Sequence, residues 1–161
     1  MNPDKAMIRA YEHATRSPDP STQTGAVLLN GGHIVARGFN AFPPGLSADH
    51  WTGSKEDKYA RVVHAEVAVL LNAARKGVPT IGTTMVAPWA ACANCAKHLA
   101  FAGVSVLVRH PFLSNGVTED SPWYQDCLVG DEILREAGVA IAEIDPLESP
   151  VQLLRNGALW P

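Results

Sequence analysis

His64 and the pair Cys92 and Cys95 limit the folds open to this chain more than any other feature. One imidazole and two thiolates can hold a zinc ion on three sides and leave a fourth position for water. Two stretches that are distant in sequence must therefore meet at one point of the fold. Glu66 follows the histidine by two residues and supplies a carboxylate that can move protons without binding the metal. The pattern predicts a hydrolytic metal site with one Zn²⁺ ion per chain.

Hydrophobic periodicity predicts an α/β domain. After an opening helix, two strand-like stretches are joined by Asn30-Gly31-Gly32, a turn sequence typical of an antiparallel hairpin. Helical and strand patterns then alternate three times, which is typical of parallel strands joined by helices. The predicted helices cover residues 3–16, 59–76, 92–102 and 123–137, and the predicted strands cover residues 24–29, 34–39, 83–87, 104–108 and 139–144.

The length of 161 residues fits one compact domain. We predict a single domain over residues 1–161, with its core at about 3–144 and a C-terminal tail at 145–161. The tail contains three prolines and several apolar residues, so we expect it to lie across the body of the domain or across a neighbouring subunit. Residues 40–57 are predicted to form a long loop that is functional or disordered.

Charge and cysteine content exclude several classes of protein. The net charge of −3 argues against a protein that grips duplex nucleic acid, because phosphate contacts need clustered Lys and Arg. Three cysteines are too few for a disulfide framework, and their odd number leaves at least one unpaired. Cys127 is predicted to be a buried thiol. No signal peptide and no apolar run long enough to span a bilayer is visible, so we expect no membrane partner and a cytoplasmic location.

The spacing of the candidate ligands suits the starts of helices. Cys92 and Cys95 are three residues apart and share a helix face, and the positive end of a helix favours thiolates. A structural zinc site closed by His98 is an alternative, although it leaves Glu66 without a role. A redox pair is a second alternative, which the upstream histidine and glutamate disfavour.

At these residues the chain resembles the cytidine deaminase superfamily, and within it is most similar to the deoxycytidylate (dCMP) deaminases. The resemblance covers about residues 16–144. Besides the metal motifs, it rests on RSPDPSTQTGA at 16–26, GFNAFP at 38–43, KY at 58–59 before VHAE at 63–66, and EAGV at 136–139.

The resemblance implies a three-layer α/β/α fold around a central mixed five-stranded sheet that starts with an antiparallel hairpin. It also implies a homo-oligomer, zinc bound by His64, Cys92 and Cys95, and Glu66 as the proton shuttle. At the other matching positions an ordinary structural role is the alternative to substrate binding. Asn40 could be a turn residue, Ser21 a helix cap, and Trp123 and Tyr124 core aromatics. The expected substrate contacts are Arg16, Ser21, Asn40, Ala65, Trp89, the carbonyl of Ala90, and Tyr124 or Trp123.

The chain departs from the family pattern at two places. Ala91 stands where a proline usually precedes the first cysteine, so the pocket wall beside Trp89 is expected to differ in shape. Phe39 and Ala41 replace the usual tyrosine and glycine of the loop associated with nucleotide regulation. The resemblance therefore gives no expectation about regulation by dCTP and dTTP.

These observations together predict zinc-dependent hydrolytic deamination of a pyrimidine deoxynucleotide, with dCMP and water giving dUMP and ammonia. One alternative is a deaminase of another amino heterocycle: a cytidine-type nucleoside, a guanine-like purine, or adenosine in tRNA. The other is a zinc-stabilised binding module without catalysis.

Overall fold

The computed structural model describes residues 1–112 and 118–160. Helices and strands alternate after an initial hairpin, as the periodicity predicts. The helices are α1 (Pro3–Ala14), α2 (Lys55–Tyr59), α3 (Ala65–Arg75), α4 (Ala93–Phe101) and α5 (Tyr124–Glu136), with a short 3₁₀ turn at Ala48–Trp51. The strands are β1 (Gly25–Asn30), β2 (His33–Phe39), β3 (Thr84–Val86), β4 (Val106–Arg109), β5 (Ala140–Glu143), β6 (Leu153–Arg155) and β7 (Ala158–Trp160).

A mixed five-stranded sheet forms the centre of the fold, in the order β2-β1-β3-β4-β5. Strand β1 pairs antiparallel with both β2 and β3, and the pairs β3–β4 and β4–β5 are parallel. Gly31 and Gly32 join β1 to β2 with φ angles of 53° and 76°, values that the tight hairpin turn requires. The predicted sheet, with an antiparallel start followed by parallel strands, is confirmed.

Two apolar cores lie on opposite faces of this sheet. Helix α1 covers one face, where Met7 and Tyr11 pack against β1 and against Leu153 of the C-terminal hairpin. Helices α3, α4 and α5 cover the other face, and their buried residues form the larger core around Met85 and Leu107. The result is the predicted three-layer α/β/α arrangement.

The helix predicted over residues 59–76 is wrong in its first part. Helix α2 ends at Tyr59, and α3 begins only at Ala65. Between them, the backbone of Val63 donates to and accepts from Ala41 at 2.8 and 3.1 Å, which holds the chain extended just before His64. This pairing joins distant residues, so the local periodicity carried no sign of it.

The tail contains a β-hairpin that the periodicity did not predict. Strands β6 and β7 pair antiparallel, and Leu153 is buried against the α1 face. Across residues 1–112 and 118–160, none of the helices combines the length and apolar character needed to cross a bilayer.

Candidate metal centre

Three potential zinc ligands meet at one point beside the sheet. The Nδ1 atom of His64 lies 3.4 Å from the Sγ atom of Cys92 and 3.4 Å from that of Cys95. All three donor atoms lie within 4.8 Å of one another. A tetrahedral zinc ion with ordinary Zn–S and Zn–N bonds would hold nitrogen and sulfur about 3.6 Å apart. The geometry of this group therefore fits zinc.

Helix starts position these ligands. His64 and Cys92 are the N-cap residues of α3 and α4, both with extended backbones (φ −68°, ψ 157° and φ −65°, ψ 163°). The backbone N–H of Cys95, in the first turn of α4, donates to Cys92 Sγ at 3.4 Å. The N-terminus of α4 thus points towards Cys92 Sγ, and its partial positive charge favours the thiolate form.

The centre gathers groups that carry negative charge when ionised. A hydrogen bond from Cys95, reinforced by His64, lowers the pKa of Cys92 to about 4. The hydrogen bond to Cys92 and burial raise the pKa of Cys95, while the bond to Cys92 raises the pKa of His64. Burial also raises the pKa of Glu66. A divalent cation would relieve the repulsion among these groups and hold both sulfurs as thiolates.

Glu66 lies next to the three ligands without completing their set. It belongs to the first turn of α3, and its Oε2 atom lies 3.6 Å from Cys95 Sγ. His98, the fourth ligand of the alternative structural site, is exposed, and its Nδ1 atom bonds to the carbonyl of Asn94 at 2.7 Å. Among the residues that the structure describes, the metal-binding group contains only His64, Cys92 and Cys95. The described residues thus supply three ligands, which is the number of protein ligands in a catalytic zinc site that keeps its fourth position for water.

Helix α5 supports the loop that leads to Cys92. The thiol of Cys127 is buried, as predicted, and donates to the carbonyl of Ala90 at 3.7 Å. Burial raises the pKa of Cys127 to about 12, so this sulfur stays protonated. One turn further along α5, a Cβ atom built on Gly130 would lie 2.2 Å from the carbonyl oxygen of Ala91. Close packing by α5 thus constrains the segment where the family pattern has a proline.

The two aromatic residues at the start of α5, Trp123 and Tyr124, pack against different rings. The ring of Trp123 lies edge-on to His64, with 5.7 Å between centroids, and also contacts Tyr59. Tyr124 instead packs edge-on against Phe112 at 5.5 Å. Of the two residues considered for base stacking, Trp123 is therefore the one in contact with a metal-ligand candidate. A substrate role for either residue stays a prediction.

Asn40 lies at the end of β2, next to the segment that leads to His64. Its Nδ2 group donates to Asp19 and to the carbonyl of Thr22 at 3.0 and 2.8 Å, and its Oδ1 atom accepts from the backbone of Thr24 at 2.8 Å. Both amide hydrogens are thus used within the protein, while Oδ1 keeps a second lone pair. A sugar contact by Asn40 stays a prediction.

Three other predicted substrate residues lie in the segment after α1 or at the start of α3. Arg16 is exposed, with its guanidinium 5.8 Å from the centre of the Phe39 ring, and Ser21 donates its backbone N–H to Asp19 at 2.8 Å. Ala65 is the first residue of α3, beside His64. Contact of these residues with a substrate also stays a prediction.

A side chain from the tail contacts Trp89, one of the predicted substrate residues, and the sequence reasoning missed this contact. The guanidinium of Arg155 lies 5.0 Å from the centre of the Trp89 ring. Asn156-Gly157 between two short apolar stretches is a hairpin signal, and it would have indicated that the tail folds back on the domain.

Comparison with known proteins links this centre to a family of zinc proteins. Residues 1–110 match the family model for the cytidine and deoxycytidylate deaminase zinc-binding region. An uncharacterised deaminase in the luxG 3′ region of Aliivibrio fischeri is 34% identical over 127 residues, which cover 78% of this chain and 81% of that protein. Mouse deoxycytidylate deaminase is 29% identical over 156 residues, which cover 92% and 83% of the two chains.

A solved structure shares the fold. The crystal structure of dCMP deaminase from the cyanophage S-TIM5, in its apo form, has a TM-score of 0.67 and 20% sequence identity. The match covers 88% of this chain and 96% of that chain.

Proposed function

The chain belongs to the family of cytidine and deoxycytidylate deaminases, and from that premise we propose that it converts dCMP and water to dUMP and ammonia. Zinc is the cofactor of this family's binding region, as the sequence predicts. Two observations support a nucleotide substrate. The mouse relative is a deoxycytidylate deaminase, and a crystal structure of the cyanophage S-TIM5 enzyme contains dCMP and dUMP.

In this proposal His64, Cys92 and Cys95 hold the zinc ion. When bound, zinc supplies a Lewis acid that makes water a stronger nucleophile at neutral pH. The two thiolates offset the charge of the ion and weaken its pull on the water. A neighbouring base is then valuable, because it removes the proton that the water must lose.

Glu66 is the residue suited to that work. Its carboxylate lies on the same side of the centre as Cys95 Sγ, at 3.6 Å, and is not one of the three grouped ligands. It would take a proton from the attacking water and pass it to N3 of the cytosine, then take the proton of the new 4-hydroxyl group and pass it to the departing amine. A C–O bond forms at C4 and the C4–N bond breaks, so that ammonia leaves and the uracil carbonyl remains.

The carbonyl of Ala90 is a candidate for distinguishing substrate from product. It faces the buried Cys127 thiol, which uses one of its two lone pairs. The second lone pair can accept a hydrogen bond from the 4-amino group of cytosine. The 4-keto group of uracil has no hydrogen to donate, so the product would lose this contact.

The convergence of one imidazole, two sulfurs and a separate carboxylate is the observation that carries the proposal. It is tested by an ammonia-release screen over dCMP, deoxycytidine, cytidine and guanine, with zinc quantified in the same samples. We expect dCMP to be the preferred substrate and zinc to be present at one ion per chain. Preference for guanine, or zinc without any ammonia release, would contradict the proposal.

A single substitution tests the role of Glu66. Glu66→Gln keeps the shape of the side chain but removes the base, so kcat should fall by at least ~10²-fold while zinc content stays the same. Glu132→Gln is the matched control, because Glu132 is an exposed residue on the outer side of α5 and loses the same charge. Near-normal turnover by Glu66→Gln would remove this residue from the mechanism.

Location and assembly complete the proposal. Ligand sulfurs must stay reduced to bind zinc, which favours the cytoplasm. The exposed apolar side chains of Leu71 and Phe101, on α3 and α4, favour a homo-oligomer. Light scattering on the zinc-loaded protein measures the assembly state, and a monomer would contradict the proposed assembly.

A further inference from the structure

The C-terminal hairpin places an arginine against Trp89, and the hairpin itself is bonded to residues 21–23. Strand β6 ends at Arg155, and a tight turn returns the chain into β7. The guanidinium carbon of Arg155 lies 5.0 Å from the centre of the Trp89 ring and 5.7 Å from that of Trp160. The cation is therefore partly buried and lies within cation–π distance of two indole rings, which contact each other edge to face at 6.4 Å.

Backbone hydrogen bonding holds the hairpin against residues 21–23. Four bonds of 2.8–3.1 Å join β6 and its turn to this segment, so Arg155 has a fixed position relative to it. The bonds are Gln23 N to Leu154 O, Leu154 N to Gln23 Oε1, Asn156 N to Thr22 Oγ1, and Gly157 N to Ser21 O.

The hairpin contacts two segments, residues 21–23 and the segment at Trp89, and both are linked to residues of the metal centre. On one side, the carbonyl of Thr22 accepts a hydrogen bond from Asn40 at 2.8 Å. Ala41, which follows Asn40, pairs with Val63, the residue before His64. On the other side, Trp89 precedes Cys92 by three residues. Through its contact with Trp89, Arg155 therefore adjoins the short segment that ends at the ligand Cys92.

The charge of Arg155 has no acidic partner in the part of the chain that the structure describes. Its guanidinium lies against aromatic rings, whereas the buried Arg109 forms a two-pronged ion pair with Asp131 at 2.7 and 2.8 Å. A guanidinium stacked on a ring keeps its in-plane N–H groups free to donate. Beside it, the Nε1–H of Trp89 is buried and bonds to none of the described residues.

We propose that Arg155 binds the 5′-phosphate of the substrate and makes the enzyme prefer a nucleotide to the corresponding nucleoside. Arginine suits this task, because its planar fork can donate two parallel hydrogen bonds to phosphate oxygens. The inference rests on the proposed deamination of dCMP, and it adds the residue that recognises the charged end of the substrate. Arg155 is a binding residue in this account and takes no part in the proton transfers.

The test compares zinc-loaded wild-type enzyme with Arg155→Gln in ammonia-release assays on dCMP and deoxycytidine. Loss of a charge-assisted contact to phosphate predicts a KM for dCMP that is ~10- to 100-fold higher, with kcat little changed. Turnover of deoxycytidine should stay the same, because this nucleoside has no phosphate. An unchanged preference for dCMP in the variant, an equal loss on both substrates, or a wild type without any preference would overturn the proposal.

Arg75→Gln is the matched control, since Arg75 is exposed at the last turn of α3. It removes the same charge and should leave both substrates unaffected. Thermal unfolding of each variant checks that the hairpin remains folded, and Arg155→Lys, which keeps the charge but loses the planar fork, should have an intermediate KM.

Binding of the product separates failure of this proposal from failure of the proposed function. A wild type that does not deaminate dCMP counts against the proposed function alone, and calorimetry with dUMP and deoxyuridine then tests Arg155. Tighter binding of dUMP by the wild type, with the difference removed in Arg155→Gln, supports the phosphate contact. Equal affinity of the wild type for both ligands overturns it.

Discussion

Gly130 is the position at which α5 makes its closest approach to the loop before Cys92. A Cβ atom at this residue would lie 2.2 Å from the carbonyl oxygen of Ala91 and 3.1 Å from the carbonyl carbon of Cys92. Both neighbours are backbone atoms that cannot rotate away. In Gly130→Ala, α5 and the loop must therefore separate by about 1 Å to reach ordinary van der Waals contact.

Two opposing effects set the size of the change in stability. Overpacking of this kind costs roughly 1–3 kcal/mol of unfolding free energy. Alanine in the middle of a helix returns about 0.5–1 kcal/mol relative to glycine. With mid-range values of about 2 kcal/mol for the cost and about 0.75 kcal/mol for the gain, the net loss is about 1 kcal/mol, which for a domain of this size lowers Tm by about 2–4 °C.

Differential scanning calorimetry measures this shift, and competition with a chelator measures zinc affinity in the same protein. We expect both to fall, because the displaced loop carries Cys92. Glu132→Ala, on the exposed side of α5, changes helix propensity only slightly and is far from this contact, so it should leave Tm within about 1 °C. A Gly130→Ala protein as stable as the wild type, with full zinc affinity, would refute the close packing of α5 on the loop.

Two further predictions concern buried polar groups. Asp131→Ala leaves the buried Arg109 without its main partner and should lower the free energy of urea unfolding by ~3–5 kcal/mol. Arg109→Met combined with Asp131→Leu should recover most of this loss. A loss below ~1 kcal/mol for Asp131→Ala would contradict the prediction. Burial lowers the pKa of His110 below its ordinary value of 6.5. As the pH falls below 6.5, this residue therefore becomes protonated in the unfolded chain while it stays neutral in the folded chain. The free energy of unfolding should therefore fall between about pH 7 and 5, by up to ~1.4 kcal/mol per pH unit. His110→Gln should reduce this slope, whereas the control His98→Gln, at an exposed residue, should not. An identical slope in His110→Gln would show that this ring, which bonds to Tyr11 at 2.9 Å, has no such role.

The layers of the fold could be predicted because each element carries a local signal. Strand β1 is a run of buried apolar residues, and Gly31-Gly32 supplies the positive φ angles of its turn. The metal centre was predictable for a different reason. Zinc chemistry demands few residue types, and His64, Cys92 and Cys95 match that demand by their types and spacing alone.

Features that depend on distant pairing were not predictable. The break between α2 and α3 comes from the contact of Val63 with Ala41, and the tail becomes a hairpin by bonding to residues 21–23. Similarly, the approach of Gly130 to Ala91 exists only once α5 has packed on the sheet. Periodicity describes one segment at a time, so it does not reveal which backbone groups will meet across the domain.

X-ray absorption spectroscopy of the zinc-loaded protein tests the central claim most directly, because it reports the atoms around the metal without depending on turnover. We predict two sulfur ligands at about 2.3 Å and two lighter ligands at about 2.0–2.1 Å, one the His64 nitrogen and the other water. His98→Ala should leave this spectrum unchanged. A coordination sphere with a second histidine in place of water, lost in His98→Ala, would contradict a hydrolytic centre.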